Sequence, residues 1–299
     1  MNEIYKAALA EGGIVTAWMG GDESDQQDSL KSSFEAAYPG VILHVTVDLS
    51  KYIDSRIDFQ LSQGNLIVDT VAIQTLQDFP RWVKEGASEL YQPLGFDKVY
   101  EEFKDPEGAY YPFAAGRWQI IWNTGKLGKN TVLKDYTDFL KPEFKGKMVL
   151  TYPNDDDAVL YCFDLILKTY GASFLEDLIA NEPKWVRGTA TPTTLINDAN
   201  STYAMTFTAG IGLFSTANSS IKSTYPTSEF MTGVQTVAIF KDAPHPETAK
   251  LFHNYLLSKD YQSNPASWSF RRDIQAPSGY PRLITQNGTK SDCFHSIYE

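Results

Sequence analysis

Apolar residues recur along the chain at two different spacings, one typical of strands and one typical of helices. Segments of the two kinds alternate, which predicts alternating strands and helices. In segment 41–47 every second residue is apolar, which is the period of a half-buried strand. Between this segment and the apolar segment 14–19, Leu30, Phe34 and Ala37 recur at the spacing of one helix face. Because two strands joined through a helix lie parallel, this order predicts a βαβ unit and an α/β fold.

The alternation continues through most of the chain. The apolar, β-branched segment 66–73 predicts a buried strand, and the aromatic segment 111–124 predicts a long strand that runs from one lobe into another. Capping-box patterns at 24–27 and 173–176 predict two helix starts. We also predict helices at 4–9, 53–63 and 246–257, and strands at 185–187, 203–207 and 233–240.

Small and polar residues follow two of the predicted parallel strands. Gly20, Gly21 and Asp22 come after the first strand, and Gln74 and Thr75 come after the strand at 66–73. Open α/β sheets hold ligands beyond the carboxyl ends of their strands, so these residues are predicted to bind a ligand. A tight turn explains the glycine pair equally well.

A polar turn at residues 152–157 joins a short apolar strand to the next helix. We expect Asn154 at the helix N-cap and Asp155 and Asp156 in the first turn, where carboxylates complement the helix dipole. The turn lies at a strand end, so its residues also qualify as a wall of a ligand site. The aspartates lack the alternate spacing and closing glutamate of a calcium loop.

The loop that follows the strand at 185–187 combines the features of an anion site. Arg187 supplies a guanidinium, Gly188 permits close approach of the backbone, and Thr189 supplies a hydroxyl. Thr191 is predicted to cap the next helix, with Pro192 at its first position. The alternative is a well-capped helix without a ligand.

Two further residues are candidate ligand contacts. Arg117, in the long strand, has the planar fork that closes on an anion, although a salt bridge is the competing explanation. Thr208 ends the strand at 203–207.

Composition narrows the function classes. At 299 residues, two lobes are expected. The formal net charge of −11 argues against nucleic acid as a partner, because phosphate backbones require a basic surface. No apolar run is long enough for a membrane span, and no signal peptide is evident, so the chain is cytosolic or has lost a leader.

The motifs of catalysis are missing from the sequence. The four histidines are scattered, and no Walker loop, nucleophile elbow or paired-histidine zinc motif occurs. We therefore predict neither an enzyme nor a resident metal or cofactor. Cys162 and Cys293 leave their pairing open, and the sequons at Asn200, Asn218 and Asn287 are glycan acceptors only after eukaryotic secretion.

Several segments, in this order, resemble the extracellular solute-binding proteins of ABC importers, in their ferric-iron, thiamine and phosphonate branch. The segments are 4–16 (IYKAALAEGGIVT), 34–41 (FEAAYPGV), 142–147 (PEFKGK) and 237–250 (VAIFKDAPHPETAK). The resemblance implies a type II periplasmic-binding-protein fold, in which each lobe is a mixed sheet flanked by helices and crossing hinge strands join the lobes. It also implies a ligand cleft between lobe one, 1–112 with 236–299, and lobe two, 113–235.

The resemblance implies a binding function with several possible solutes. We expect a small polar solute, favouring one with phosphate or carboxylate, a monomer, and a periplasmic or extracellular location with an ABC importer membrane component as partner. An organic cation such as thiamine or a polyamine, held by Asp22, Asp155 and Asp156 with Trp18 or Trp118 stacking, is the alternative. A secreted interaction protein or an enzyme on the same fold also stays open.

Iron is a further alternative with a specific difficulty. Ferric members of the family carry adjacent tyrosines near the position that here reads Thr206-Phe-Thr-Ala-Gly210. The tyrosine pair of this chain, Tyr110-Tyr111, lies elsewhere. The resemblance therefore points towards iron transport while the expected tyrosinate ligands are missing at their usual position.

Overall fold

The computed structural model describes residues 1–155, 157–211, 220–264 and 267–285. Asp156 of the predicted turn, Cys293, Asn218 and Asn287 lie outside these residues. The described chain divides into two compact units, a first unit of Met1–Ala115 with 234–285 and a second unit within Gly116–Gly233.

Helices and strands alternate along the chain, which confirms the predicted α/β class. The strands are β1 (Ile14–Gly20), β2 (Ile42–Asp48), β3 (Thr70–Ile73), β4 (Tyr111–Asn123), β5 (Val149–Thr151), β6 (Lys184–Val186), β7 (Met205–Ile211), β8 (Ile221–Thr224) and β9 (Thr232–Ile239). The helices are α1 (Asn2–Glu11), α2 (Asp28–Ala37), α3 (Ser50–Gln63), α4 (Asp78–Lys84), α5 (Thr124–Leu127), α6 (Asp157–Tyr170), α7 (Ser173–Ala180), α8 (Thr191–Asn197), α9 (Pro246–Leu256) and α10 (Lys259–Gln262). Short 3-10 helices occur at Phe96–Lys98, Glu101–Phe103, Tyr136–Leu140, Pro142–Phe144 and Leu283–Thr285.

The sheet of the first unit has the strand order β2-β1-β3-β9. β1 pairs in parallel with β2 from Ile14↔Ile42 onwards and with β3 at Ala17↔Thr70, which confirms the predicted βαβ unit. β9 runs antiparallel to β3, with Thr236 opposite Ile73. The carboxyl ends of β1 and β3 and the early residues of β9 therefore lie at one edge of the sheet.

Apolar side chains of this sheet pack against α3 and α4. A cluster of buried residues shares one face, and its members from these elements are Trp18, Ile53, Ile57, Val71, Ile73, Phe79, Trp82 and Ala238. Burial of such side chains stabilises the fold by roughly 1.5–3 kcal/mol for each large one. This packing fixes α3 and α4 against the strands whose ends carry the predicted ligand contacts.

The second unit contains two strand groups. β4 pairs antiparallel with β7, from Gly116↔Ile211 to Trp122↔Met205, and also with β8. β5 and β6 form a parallel pair. α6 buries Val159, Phe163 and Ile166 in a core that includes Phe207, so one face of this helix is apolar and packed.

Two predicted capping boxes are wrong. α2 begins at Asp28 with Gln27 as its N-cap, and no side chain caps it. Gln26 instead accepts hydrogen bonds from the backbone N–H groups of Asp22 and Glu23, at 2.6 and 2.9 Å. The residues after β1 thus form a turn before the helix starts.

The second wrong capping box lies at α7. That helix begins at Ser173 itself, with Ala172 as its N-cap, so the Ser173 side chain does not occupy the capping position.

No single helix within the described ranges is long and apolar enough to cross a membrane. α6 and α7 reach that length and composition only as a pair bent by 109°.

Candidate functional site

A first group of candidate residues lies at the edge of the first unit's sheet; we call Gly20, Gly21, Asp22, Gln74, Thr75, Gln235 and Thr236 the first rim. Gly20 leaves no space for a side chain, because an added Cβ would lie 2.5 Å from Ser50 Oγ. Ser50 Oγ also accepts the backbone N–H of Gln74 at 3.1 Å. The glycine therefore allows the start of α3 to approach both strand ends.

β9 adds two polar residues that the sequence analysis did not include. Gln235 Nε2 donates to the carbonyl oxygen of Gly20 at 3.1 Å, so this side chain reaches the end of β1. Thr236 pairs with Ile73, the last residue of β3. Both are buried, as is Thr75.

A signal for these two residues was present in the sequence. Gln235 and Thr236 are consecutive polar residues inside the otherwise apolar strand Gly233-Val-Gln-Thr-Val-Ala-Ile. Buried polar residues in such a strand require hydrogen-bond partners, which makes them candidates for ligand contact.

A second group of candidates lies at the ends of β5 and β6; we call Asn154, Asp155, Arg187, Gly188, Thr189 and Thr208 the second rim. Asp155 is enclosed, with no exposed side-chain surface, and its carboxylate accepts hydrogen bonds from Arg187 Nε and from Gly188 N. The bond from Gly188 N is 2.6 Å long. The predicted convergence of a guanidinium and a backbone N–H therefore exists, but the protein's own carboxylate occupies it.

Two threonines hold the loop after β6 in this position. Thr151 Oγ1 donates to Gly188 O, and Thr208 Oγ1 donates to Thr189 O, both at 2.6 Å. Gly188 has a φ of 77°, a left-handed conformation that suits glycine. The loop is thus tied to β5 and β7, and half of the Arg187 side chain stays exposed.

The helix starts of this unit differ from the prediction. α6 begins at Asp157, so Asp155 lies in the turn before the helix rather than in its first turn. α8 begins at Thr191 with Ala190 as its N-cap, so the predicted cap at Thr191 is wrong. Asp155 instead binds Arg187 and Gly188, because a charge-assisted hydrogen bond is stronger than the attraction of a carboxylate to a helix dipole.

Arg117 is a buried residue of β4. Its guanidinium carbon is 4.1 Å from the centre of the Tyr225 ring and 5.1 Å from that of Phe230, and these two rings stack on each other. Its side chain is buried, at 2% exposure. The cation–π contacts hold the guanidinium in place, and they contribute on the order of 1–2 kcal/mol because the group is desolvated. Its predicted role as a clamp on the ligand stays a prediction.

The residues suggested for cation binding are buried or already have partners within the protein. Trp18 and Trp118 are both core residues, at 8% and 2% exposure, so neither offers an open ring face. Asp155 already binds Arg187 and Gly188. Among the described residues, no three His, Cys, Asp or Glu side chains lie together as a metal site.

Cys162 is a free thiol in the core of the second unit, and burial raises its pKa well above the usual value. Asn200 of the first sequon is exposed, in the turn that follows α8.

A family model for bacterial extracellular solute-binding protein matches residues 69–282, which is more than half of the chain. No curated protein sequence matches significantly.

Solved structures share the fold at low sequence identity. Iron-bound HitA from Pseudomonas aeruginosa has a TM-score of 0.68 at 15% identity, covering 95% of this chain and 98% of its own. AfuA from Actinobacillus pleuropneumoniae, with fructose 6-phosphate bound, has a TM-score of 0.70 at 16% identity, covering 95% and 96%. The substrate-binding protein of an ABC transporter from Agrobacterium tumefaciens has a TM-score of 0.74 at 10% identity, covering 96% and 95%. These likenesses show a type II periplasmic-binding-protein fold.

Proposed function

Since the chain belongs to the family of bacterial extracellular solute-binding proteins, we propose that it binds, without converting it, a small solute bearing a phosphate or carboxylate group. Substrate-binding proteins of ABC transporters hold small solutes and dock to the membrane components of the importer. We further propose that this chain acts as a monomer outside the cytoplasm, in the periplasm or at the cell surface. The predicted cleft between two lobes stays a prediction.

The position of Arg187 is the observation that favours a solute with a phosphate or carboxylate group. Asp155 holds its Nε while half of the side chain stays exposed, so the guanidinium is oriented on a side chain that is partly open to solvent. An oriented guanidinium binds phosphate and carboxylate well because its planar fork matches their oxygens. The phosphate ester held by the similar structure AfuA supports the same class.

Replacing Arg187 tests the proposal. Ligand-stripped protein is titrated with phosphorylated and carboxylated metabolites by calorimetry, and the thermal midpoint is followed in parallel. Arg187→Gln should weaken binding by at least about tenfold, because a hydrogen bond to a charged group contributes about 1.5–3 kcal/mol. Arg272→Gln is the matched control, since Arg272 is also about half exposed but contacts Glu101 and the Asp97 backbone, neither of which belongs to a rim. The proposal fails if no metabolite of either class gives heat or shifts the midpoint.

Asp155→Asn separates an anionic solute from a cationic one. The asparagine still offers an oxygen to Gly188 N but no longer neutralises Arg187, so an anion should bind equally well or several-fold tighter. A cation that depended on the carboxylate would lose most of its affinity. Weaker binding of every anion together with unchanged folding would contradict the role given to Arg187.

A further inference from the structure

The first residue of the turn after β5, Tyr152, lies beside Arg187. Its backbone N–H donates to Val186 O at 3.1 Å, which continues the parallel pairing of β5 with β6 by one residue. Tyr152 and Arg187 are therefore neighbours across this pair, at the strand spacing of about 4.8 Å. The turn closes where Asp155 N–H donates to Tyr152 O, and the Asp155 carboxylate binds Arg187 Nε. The tyrosine and the guanidinium thus belong to one local structure within the second unit.

The Tyr152 ring is the outer member of a stack of aromatic rings. It lies nearly parallel to the Trp185 ring, with the ring centres 5.7 Å apart and an angle of 23° between the planes. On the core side, the centre of the Trp185 ring is 6.2 Å from that of Phe163, a buried residue of α6. The core of the second unit therefore holds Trp185, and Trp185 covers one face of the Tyr152 ring.

Tyr152 is 42% exposed even though Trp185 covers one face of its ring. An exposed tyrosine alone is common in proteins and does not indicate a ligand. Tyr152 differs because its ring is held in a fixed orientation next to an oriented guanidinium. An aromatic face attracts another flat ring through dispersion and through burial of apolar surface.

We propose that the Tyr152 ring stacks on a ring of the solute while Arg187 binds the phosphate or carboxylate of the same molecule. This inference rests on the proposed function and narrows it, because the solute is then a ring-bearing anion rather than an open-chain one. An aromatic ring and the apolar face of a sugar ring both offer the flat surface that this site requires. The alternative is that Tyr152 only shields Trp185 from water.

Calorimetry on ligand-stripped protein compares anions that have the same charged group with and without a ring. The probes are phenyl phosphate and benzoate for aromatic rings, hexose phosphates and glucuronate for sugar rings, and glycerol phosphate and acetate for open chains. At least one ring-bearing anion should bind about tenfold tighter than the open-chain anion with the same charged group, which is the gain expected of one stacked ring.

Two substitutions at Tyr152 separate stacking from shielding. Tyr152→Phe keeps the ring and should keep the difference between ring-bearing and open-chain anions. Tyr152→Leu keeps an apolar cover over Trp185 but has no flat ring, so the ring-bearing anion should bind about tenfold more weakly. The affinity for the open-chain anion should stay unchanged, which also shows that the variant is folded.

Tyr280→Leu is the matched control. Tyr280 is 40% exposed and contacts a tryptophan, Trp268, with the ring centres 5.4 Å apart, but neither residue belongs to a rim. This substitution should leave the affinities for both kinds of anion unchanged. If tyrosine only shields tryptophan at both places, the two leucine variants should lower the thermal midpoint and leave every affinity as it was.

Each outcome decides between the two proposals. Loss of the difference in Tyr152→Leu with its retention in Tyr152→Phe supports this inference, and the tighter of the aromatic and sugar probes identifies the ring. Equal affinity for ring-bearing and open-chain anions, or a difference that persists in Tyr152→Leu, overturns this inference and leaves the proposed function standing. An equal loss in Tyr280→Leu also overturns it. Failure of every anion to bind overturns both proposals.

Discussion

At the scale of single residues, the second rim shows how a tertiary partner changes the meaning of a side chain. Arg187 and Gly188 have the chemistry of an anion site, and Asp155 has that of a cation site. In the structure these opposite groups bind each other. Asp155 is thereby withdrawn from solvent, whereas Arg187 keeps an exposed half, so the arginine is the better candidate for contact with a solute.

His253 is a second residue whose partners are decided by the fold. Thr70 Oγ1 donates to Ala238 O, so its contact with His253 Nε2 at 2.7 Å requires Nε2 to carry the hydrogen. The ring is fully buried, and burial lowers its pKa to about 3. The folded protein therefore holds this histidine neutral.

The neutral His253 predicts that stability falls in acid. Its pKa is about 3 in the folded protein against about 6.5 unfolded, so the unfolded chain binds the proton first. This contribution is complete above pH 6.5 and is lost as pH falls towards 3, with a slope of at most about 1.4 kcal/mol per pH unit. Urea unfolding between pH 5 and 7 measures it. His253→Gln keeps a donor for Thr70 but cannot titrate, so its slope should be smaller; an identical slope would contradict the assignment.

At the scale of elements, the start of α9 depends on a residue distant in sequence. Proline at its first position predicts this helix correctly, but its N-cap, His245, makes no side-chain capping bond. Glu11, the last residue of α1, accepts the backbone N–H groups of Glu247 at 3.1 Å and Thr248 at 2.8 Å. One helix thus caps another, which also places a negative charge at the positive end of the α9 dipole.

Removing this cap tests the connection between the two helices. Glu11→Ala should destabilise the protein by about 1–2 kcal/mol, because two N–H groups and the Thr248 hydroxyl lose their acceptor. Glu3→Ala, on the same helix, removes only an exposed pair with Lys6 and should change stability by less than about 0.5 kcal/mol. Chemical denaturation measures both. Equal effects would show that helix propensity, rather than the cap, determines the change.

Helix starts were the least predictable elements, and α2, α7 and α8 give the same reason. Each has a serine or threonine at a plausible capping position in the sequence, yet a different residue is the N-cap. A cap is defined by backbone dihedral angles, and these depend on how the preceding turn packs. The strands were predictable because burial of apolar residues in a strand follows a fixed period.

At the scale of the whole molecule, the chain belongs to the bacterial extracellular solute-binding proteins. Structures of the same fold hold ligands as different as iron and fructose 6-phosphate. At their low sequence identity to this chain, the likeness shows only that the fold is the same. The fold therefore leaves the solute to be determined by the side chains of the rims.

Native mass spectrometry of protein purified without a ligand-stripping step should identify that solute directly. A mass above the 33.5 kDa of the chain by that of one phosphate- or carboxylate-bearing solute is the expected result. A single chain per particle is expected in the same spectrum. Hexose-type additions at the exposed Asn200 would instead favour a secreted glycoprotein, and a bound ferric ion without an organic anion would contradict the proposed solute.

The sequence by itself determined the α/β class, the parallel pairing of β1 with β2, the family, and the strand ends at which candidate residues gather. The class, the pairing and the strand ends follow from periodicity and segment order, which are local properties of the chain, and the family follows from the resemblance of its segments to known members. The tertiary structure alone decided that Asp155 binds Arg187, that Glu11 caps α9, and that Gln235 reaches Gly20 with its amide oxygen left as an acceptor. Each of these contacts joins residues more than 30 positions apart, and such a partner is fixed only when the packed elements bring the two side chains within hydrogen-bond distance.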